Sequence, residues 1–138
     1  MITAYIDGGA RGNPGPAGYG VRIEDPAGTL IAELHGALGI ATNNVAEYNG
    51  LLAALRWAVA HGEQDVHIRA DSELLVKQMR GEYKVKNPGL QTLHADARLL
   101  LTRLGRVRFE HVRREFNKEA DRLSNLGMDD AEAQLRAG

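Results

Sequence analysis

Four acids in this 138-residue chain stand where a carboxylate is either a capping device or a reactive group: Asp7, Glu47, Asp71 and Asp121. Asp7 ends the strand-like run from Ile2 to Ile6, and Gly-Gly-Ala-Arg-Gly-Asn-Pro-Gly follows at once. Asp71 closes the short run D-V-H-I-R-A. Glu47 falls in the first turn of a helix expected to begin near Thr42-Asn43-Asn44, and Asp121 in the first turn or two of the last helix. Strand ends and helix starts at one edge of an α/β sheet can converge on one pocket. Two carboxylates about 4 Å apart repel by roughly 4 kcal/mol at an effective dielectric of 20. Four together must protonate or take cations between them. Oxygen-only donors favour Mg²⁺ or Mn²⁺ over zinc, and a pair of such ions forms a clamp for in-line phosphoryl displacement. Singly, each acid also has a structural account. Asn44 to Glu47 fits an N-x-x-E capping box. Asp71 can cap a short helix, Asp121 suits a helix dipole, and Asp7 suits a turn. Spacing alone does not choose between these accounts.

The elements that must position the acids are legible from hydrophobic periodicity. Residues 2–7 alternate as a strand, and 19–25 and 29–36 are two more, split by the turn sequence Asp25-Pro26-Ala27-Gly28. The period then becomes helical: from Val45 to His61, Tyr48, Leu51, Leu52, Leu55, Ala58 and Val59 share one face, and Gly62 is the stop. A strand is expected at 65–70, a helix of about two turns over 72–79, a polar loop over 81–88, and a helix through Leu90, Leu93, Ala97, Leu100, Leu101 and Leu104. A last strand is expected over 106–112 and a last helix from about Asn117 through Leu126, with residues 128–138 extending it or fraying. The order predicts one α/β domain over residues 1–138: a mixed five-stranded sheet, three antiparallel strands then parallel crossovers, flanked by helices. Trp57, Leu55 and the leucines at 93, 100, 101 and 104 are expected to be packing residues.

Bulk properties narrow the function classes. Hydrophobic residues make up 43% and charged residues 25%, an ordinary globular balance. A net charge of −1 provides no overall field for polyanions, so any such binding must be local. Without cysteine, thiol nucleophiles, disulfides and cysteine–zinc sites are excluded. The N-terminus lacks the pattern of a signal peptide, and no apolar stretch approaches the roughly 20 residues of a membrane helix. The expectation is a cytoplasmic monomer without membrane association. Met1 leading directly into the first strand suggests a free-standing protein.

Four motifs in order then carry a resemblance. D-G-G-A-R-G-N-P-G at Asp7–Gly15 resembles D-G-x-x-x-G-N-P-G, and T-N-N-V-A-E at Thr42–Glu47 resembles T-N-N-x-x-E. A-D-S at Ala70–Ser72 matches a strand end followed by D-S, and N-K-E-A-D at Asn117–Asp121 resembles N-x-x-A-D. The chain resembles type 1 ribonuclease H over residues 4 to about 127. The resemblance implies the ribonuclease H-like fold, two divalent ions (Mg²⁺ or Mn²⁺) held by Asp7, Glu47, Asp71 and Asp121, and endonucleolytic cleavage of the RNA strand of an RNA–DNA hybrid to a 3′-hydroxyl and a 5′-phosphate. It further implies substrate contacts from Gly8, Asn13, Thr42, Asn43, Asn44, Lys86 and Asn87. An asparagine amide both donates and accepts, as a 2′-hydroxyl does, which suits reading RNA in a minor groove.

The chain departs from that family in three places. The basic protrusion of the best-studied members shrinks to the loop from Arg80 to Asn87, keeping only Arg80, Lys84 and Lys86 as cations, so weaker and less salt-sensitive hybrid binding is expected. The segment before Asp121 lacks the glycine-containing loop and its histidine. His111 lies in the last strand and reads as structural, whereas Arg114 sits nearer the place expected for that histidine. An arginine keeps its charge, so Arg114 is expected to stabilise a phosphate oxyanion without shuttling protons. Glu73 stands where glutamine is common, and Gly9 replaces a small polar residue. The competing readings are a non-catalytic module of the same fold, which the complete acid set opposes, and a resolvase- or integrase-like nuclease, which Thr42-Asn43-Asn44 and G-N-P-G oppose. A third is a domain cut from a larger protein.

Overall fold

Alternation in the first strand places Ile2, Ala4 and Ile6 on one face, all essentially buried, and that face seeds the core. The computed structural model describes residues 1–138. Its strands are β1 (Ile2–Ala10), β2 (Gly15–Glu24), β3 (Leu30–Ala41), β4 (Asp65–Ala70) and β5 (Arg106–His111). Its helices are α1 (Asn43–Ala60), α2 (Glu73–Met79), α3 (Pro88–Leu101) and α4 (Lys118–Ala137), with a 3₁₀ turn at Arg114–Phe116. The sheet order is β3-β2-β1-β4-β5. β1 is antiparallel to β2 and parallel to β4, and β4 is parallel to β5. The expected mixed five-stranded sheet is therefore present. β1 lies where antiparallel pairing gives way to parallel pairing, which is where such sheets gather functional groups.

α1 covers one face of the sheet with Leu51, Leu52, Leu55 and Ala58, each fully buried against Ile6, Val21, Ile23 and Ile68. Burying each such leucine contributes about 2 kcal/mol. α3 packs behind α1, and Trp57, Leu93, Leu100 and Leu101 lie partly buried against the same core. The Tyr48 hydroxyl donates to Gln78 Oε1 at 2.6 Å, joining α1 to α2 inside the core. On the other face α4 lies over β1, β2 and β3, while nothing packs on the corresponding face of β4 and β5.

α4 approaches β2 closely because glycines make room. A side chain at Gly18 would strike the backbone of Gly127 and Met128, and one at Gly20 would strike Ser124 and Ala120. The β2–β3 turn follows its sequence: Gly28 adopts φ 84°, which a side chain resists, and Asp25 Oδ1 accepts from Ala27 N and Thr29 N.

Several boundaries differ from expectation. β1 does not end at Asp7; Gly8, Gly9 and Ala10 stay paired with β2, so Asp7 is an interior strand residue. β2 begins at Gly15 instead of 19, and β3 continues to Ala41 instead of 36. The tail does not fray: α4 runs to Ala137, held by buried Met128 and Ala131. Thr42 caps α1, so Glu47 lies one residue beyond the first turn and Asn44 forms no capping box with it.

Candidate active site

β1, α1, β4 and α4 each bring one acid to the carboxyl ends of the parallel pair β1 and β4. Asp7 pairs in register with Gly20, whose missing side chain lets α4 settle beside the carboxylate. A side chain at Gly8 would strike the backbone of Ala46 and Glu47, so β1 passes directly against the turn of α1 that carries Glu47. Asp71 follows the last residue of β4. Asp121 is oriented through Asn117, which is 1% exposed and donates from Nδ2 to Ile6 O at 2.9 Å, one residue before Asp7.

A cavity of about 170 Å³ is lined by Asp7, Asp71, Asp121, Arg114, Asn43 and Ser124, among others. A crevice that shares Asp7 and Asp71 adds Glu47 and Ser72. The four acids therefore line two adjoining pockets that share Asp7 and Asp71, and Arg114 is the only cationic lining residue of either.

The charges are poorly compensated within the protein. Asp7 is pushed up to about 8, first by burial and then by the negative charge of Asp71; Asp121 adds both charge and a hydrogen bond. One donor, Gly8 N, works the other way. Gly8 N donates to Asp7 Oδ1 at 2.9 Å, and the Ser124 hydroxyl lies 3.3 Å from Oδ2 and 2.8 Å from Asp121 O. Glu47 is raised mainly by burial, against the lowering effects of a hydrogen bond from Ser72 and of Arg114. Ser72 also caps α2, accepting from Leu75 N at 3.2 Å, so one hydroxyl serves both helix and site.

This donor set suits hard divalent cations: every charged ligand is a carboxylate, the site is half-dry, and neutralisation is lacking. The side chains as they stand do not enclose one point, and no group of three or more His, Asp or Glu residues is arranged to hold an ion.

The other expected contact residues fall into two groups. At the start of α1, Thr42 Oγ1 accepts from Val45 N at 3.2 Å. Asn43 Oδ1 accepts from Ala10 N at 2.8 Å, and Asn13 Oδ1 accepts from Asn43 N at 3.0 Å. These bonds pin the β1–β2 hairpin to the helix through the amide oxygens, leaving both NH₂ groups without a protein partner. Asn44 is exposed beside them. Lys86 and Asn87 lie apart from the acid cavity; Lys86 is exposed in the α2–α3 loop, and Asn87 caps α3, accepting from Gly89 N at 2.8 Å.

The remaining departures also find places. Glu73 is fully exposed and pairs with Lys77 at 2.8 Å, outside the acid cavity. His111 is the exposed last residue of β5. Gly9 faces the Met128 thioether, which a Cβ would approach to 3.3 Å. Arg11 turns toward α4, meeting Asp129 and Glu132 at 2.7 Å each. Ser72, Asn117 and Ser124 are site residues that sequence reading missed. Asn117 and Ser72 stood inside recognised motifs, whereas Ser124 carried no signal beyond its i+3 spacing from Asp121.

Residues 5–127 match the Reverse transcriptase-like family. Over 131 residues the chain is 48% identical to the bifunctional protein Rv2228c of Mycobacterium tuberculosis, covering 94% of this chain and 36% of that protein. It is 42% identical over 130 residues to ribonuclease HI of Halobacterium salinarum, covering 94% of this chain and 65% of that one. The chain thus spans about a third of the first of these relatives and about two thirds of the second. The crystal structure of LC11-RNase H1 in complex with an RNA/DNA hybrid superposes with a TM-score of 0.90 at 43% identity, covering 95% of this chain and 99% of that one. With the acid-bearing sheet junction, the family match and these relatives in agreement, the chain belongs to the type 1 ribonuclease H branch of the Reverse transcriptase-like family.

Proposed function

We propose that the protein hydrolyses the RNA strand of RNA–DNA hybrids, acting as a cytoplasmic monomer with two Mg²⁺ or Mn²⁺ ions. The observation that carries this reading is the placing of Asp7, Glu47, Asp71 and Asp121 on two adjoining pockets that share Asp7 and Asp71, with Asn13, Thr42, Asn43 and Asn44 beside them. The similarity to a hybrid-bound ribonuclease H1 supports the substrate. The lack of cysteine suits a reducing compartment.

The four carboxylates would hold the ions. Bound there, the ions would supply Lewis-acid stabilisation of the attacking and leaving oxygens. The chain's own residues do the rest. Gly8 lets β1 lie against the turn of α1 that carries Glu47, which keeps the hairpin close beside the substrate. The free NH₂ groups of Asn13 and Asn43 suit the acceptor oxygens of a ribose or a base edge. Arg114 borders the cavity and offers fixed positive charge to a phosphate oxygen. In balance, water adds across the P–O3′ bond: its oxygen joins phosphorus, and the departing 3′ oxygen takes a proton. The products are a 3′-hydroxyl and a 5′-phosphate.

The direct test is a labelled hybrid run beside DNA–DNA and RNA–RNA duplexes, with Mg²⁺ and with EDTA. RNA-strand cleavage in the hybrid with Mg²⁺ alone is expected. Cleavage of the DNA strand, or persistence in EDTA, overturns the reading. A second measurement concerns the helper. Arg114→Ala should lower kcat by about 10²–10³-fold, the scale of one electrostatic donor at a transition state. His111→Ala, at an exposed strand end outside the cavity, should be nearly silent. Unchanged turnover in Arg114→Ala removes its assigned role.

A further inference from the structure

The part of the sheet's second face formed by β4 and β5 stays uncovered by α4, and its charge is uneven. β5 is the edge strand, and Arg106, Arg108 and Glu110 alternate onto the same side. The register pairs Arg108 with His67 and Arg106 with Asp65, two and three positions of the same parity back from Asp71. Arg106 and Arg108 therefore share the sheet face on which Asp7 and Asp71 meet the cavity. Past the strand end come Arg113 and Arg114, the latter lining the acid cavity.

Arg106 and Arg108 are exposed, and neither guanidinium has a hydrogen bond or an ion pair within the protein. The acids nearby are engaged. Glu110 accepts from Arg69 Nε at 3.0 Å and lies 3.0 Å from His67 Nε2, and Glu115 lies 3.9 Å from Arg113. The positive field is felt locally, since Arg69 and Arg108 help burial hold His67 below its usual range. The chain as a whole carries a net charge of −1, so this strip stands against the overall balance.

Building on the function proposed above, we infer that Arg106, Arg108 and Arg113 form an arginine track along β5 that binds the phosphates of the hybrid as it runs from the acid cavity. Alternate residues on a strand are about 6.6 Å apart. That is on the scale of the spacing between phosphates along one nucleic-acid strand, so Arg106 and Arg108 can each meet a different phosphate. Arg108 lies about 13 Å and Arg106 about 20 Å back from Asp71 along the strand direction, a reach of roughly four and six base pairs. Charged side chains on an edge strand also deter strand addition. That role needs charge but not a shared face with the cavity, and Arg80 already serves it by donating to the edge carbonyl of Phe109 at 2.6 Å.

The test compares Arg106→Ser/Arg108→Ser with the unaltered protein and with Arg56→Ser, an exposed arginine on α1. KM for hybrids of about 20 base pairs is measured across NaCl concentrations. The double variant should raise KM about tenfold at moderate salt and flatten the log–log salt slope by about two, one for each lost phosphate contact. Arg106→Lys/Arg108→Lys should restore most of the slope, which separates charge from folding damage. If the double variant matches Arg56→Ser while the hybrid is still cleaved, the track is overturned and the nuclease reading stands. If the unaltered protein cleaves no hybrid, both fall.

Discussion

Asp7→Asn should reduce hybrid cleavage by about 10³-fold or more, some 4 kcal/mol of barrier, while making the metal-free protein more stable at neutral pH. The two effects share a cause. The Asp7 carboxyl is held at about 8 by burial and by Asp71 and Asp121, far above the 3.8 of an ordinary aspartate. A group whose folded pKa is raised stabilises the fold fully below its unfolded pKa. That contribution disappears as pH rises through the folded value. Metal-free protein should therefore lose stability between about pH 4 and pH 8, by an amount on the order of a few kcal/mol.

Asparagine has no such titration. It can still accept from Gly8 N through its amide oxygen. The gap in Tm between variant and parent should be near zero at pH 4 and reach several degrees by pH 8. Added Mg²⁺ should narrow the gap by stabilising the parent more. Thermal melts in EDTA and in Mg²⁺ across that range check this, and a pH-independent gap would contradict the account of Asp7.

Gly18→Ala should destabilise the protein by about 3 kcal/mol and lower activity with it. The added carbon would strike the backbone of Gly127 and Met128, and backbone cannot swing aside as a flexible side chain does. α4 must then lift from β2. Gly127 offers no slack on the other side, because β3 packs so closely there that a side chain at Gly127 would strike Gly36 O. Asp121 and Ser124 ride on the same helix, so the site loosens with it. Urea unfolding and cleavage rates measure both, and a normal midpoint would mean that α4 accommodates the methyl group.

The sequence showed α1, β4 and α3 well because their apolar spacing is regular, and the caps of α1, α2 and α3 (Thr42, Ser72 and Asn87) are side chains that bond as their types suggest. It misplaced the ends of β1, β2 and β3 for one reason. Gly8, Gly9, Gly15, Gly18, Gly36 and Gly39 have no side chain to alternate, so pairing continues where the pattern falls silent. The last two turns of α4 were hidden by acids on the exposed side, while Met128 and Ala131 alone carry the buried side. The four acids were legible as candidates and became a set through their motifs. What holds them was less visible. Asn117 is a polar residue among charges, and only the fold shows it buried against Ile6 O. Arg11 gave no hint that it would turn to α4.

The bond from Asn117 to Ile6 joins residues 111 apart, and Ser124 meets Asp7 across 117. The site is therefore closed by contacts of nearly maximal sequence separation, which form late because chain entropy must be lost first. During synthesis, a ribosome-bound chain carries three of the four acids long before α4 emerges. Such a chain lacks the helix that fills the groove beside Gly18 and Gly20 and the carboxylate of Asp121. Catalytic competence would thus wait for α4, and a nascent chain paused before residue 117 should be unable to attack hybrids near it.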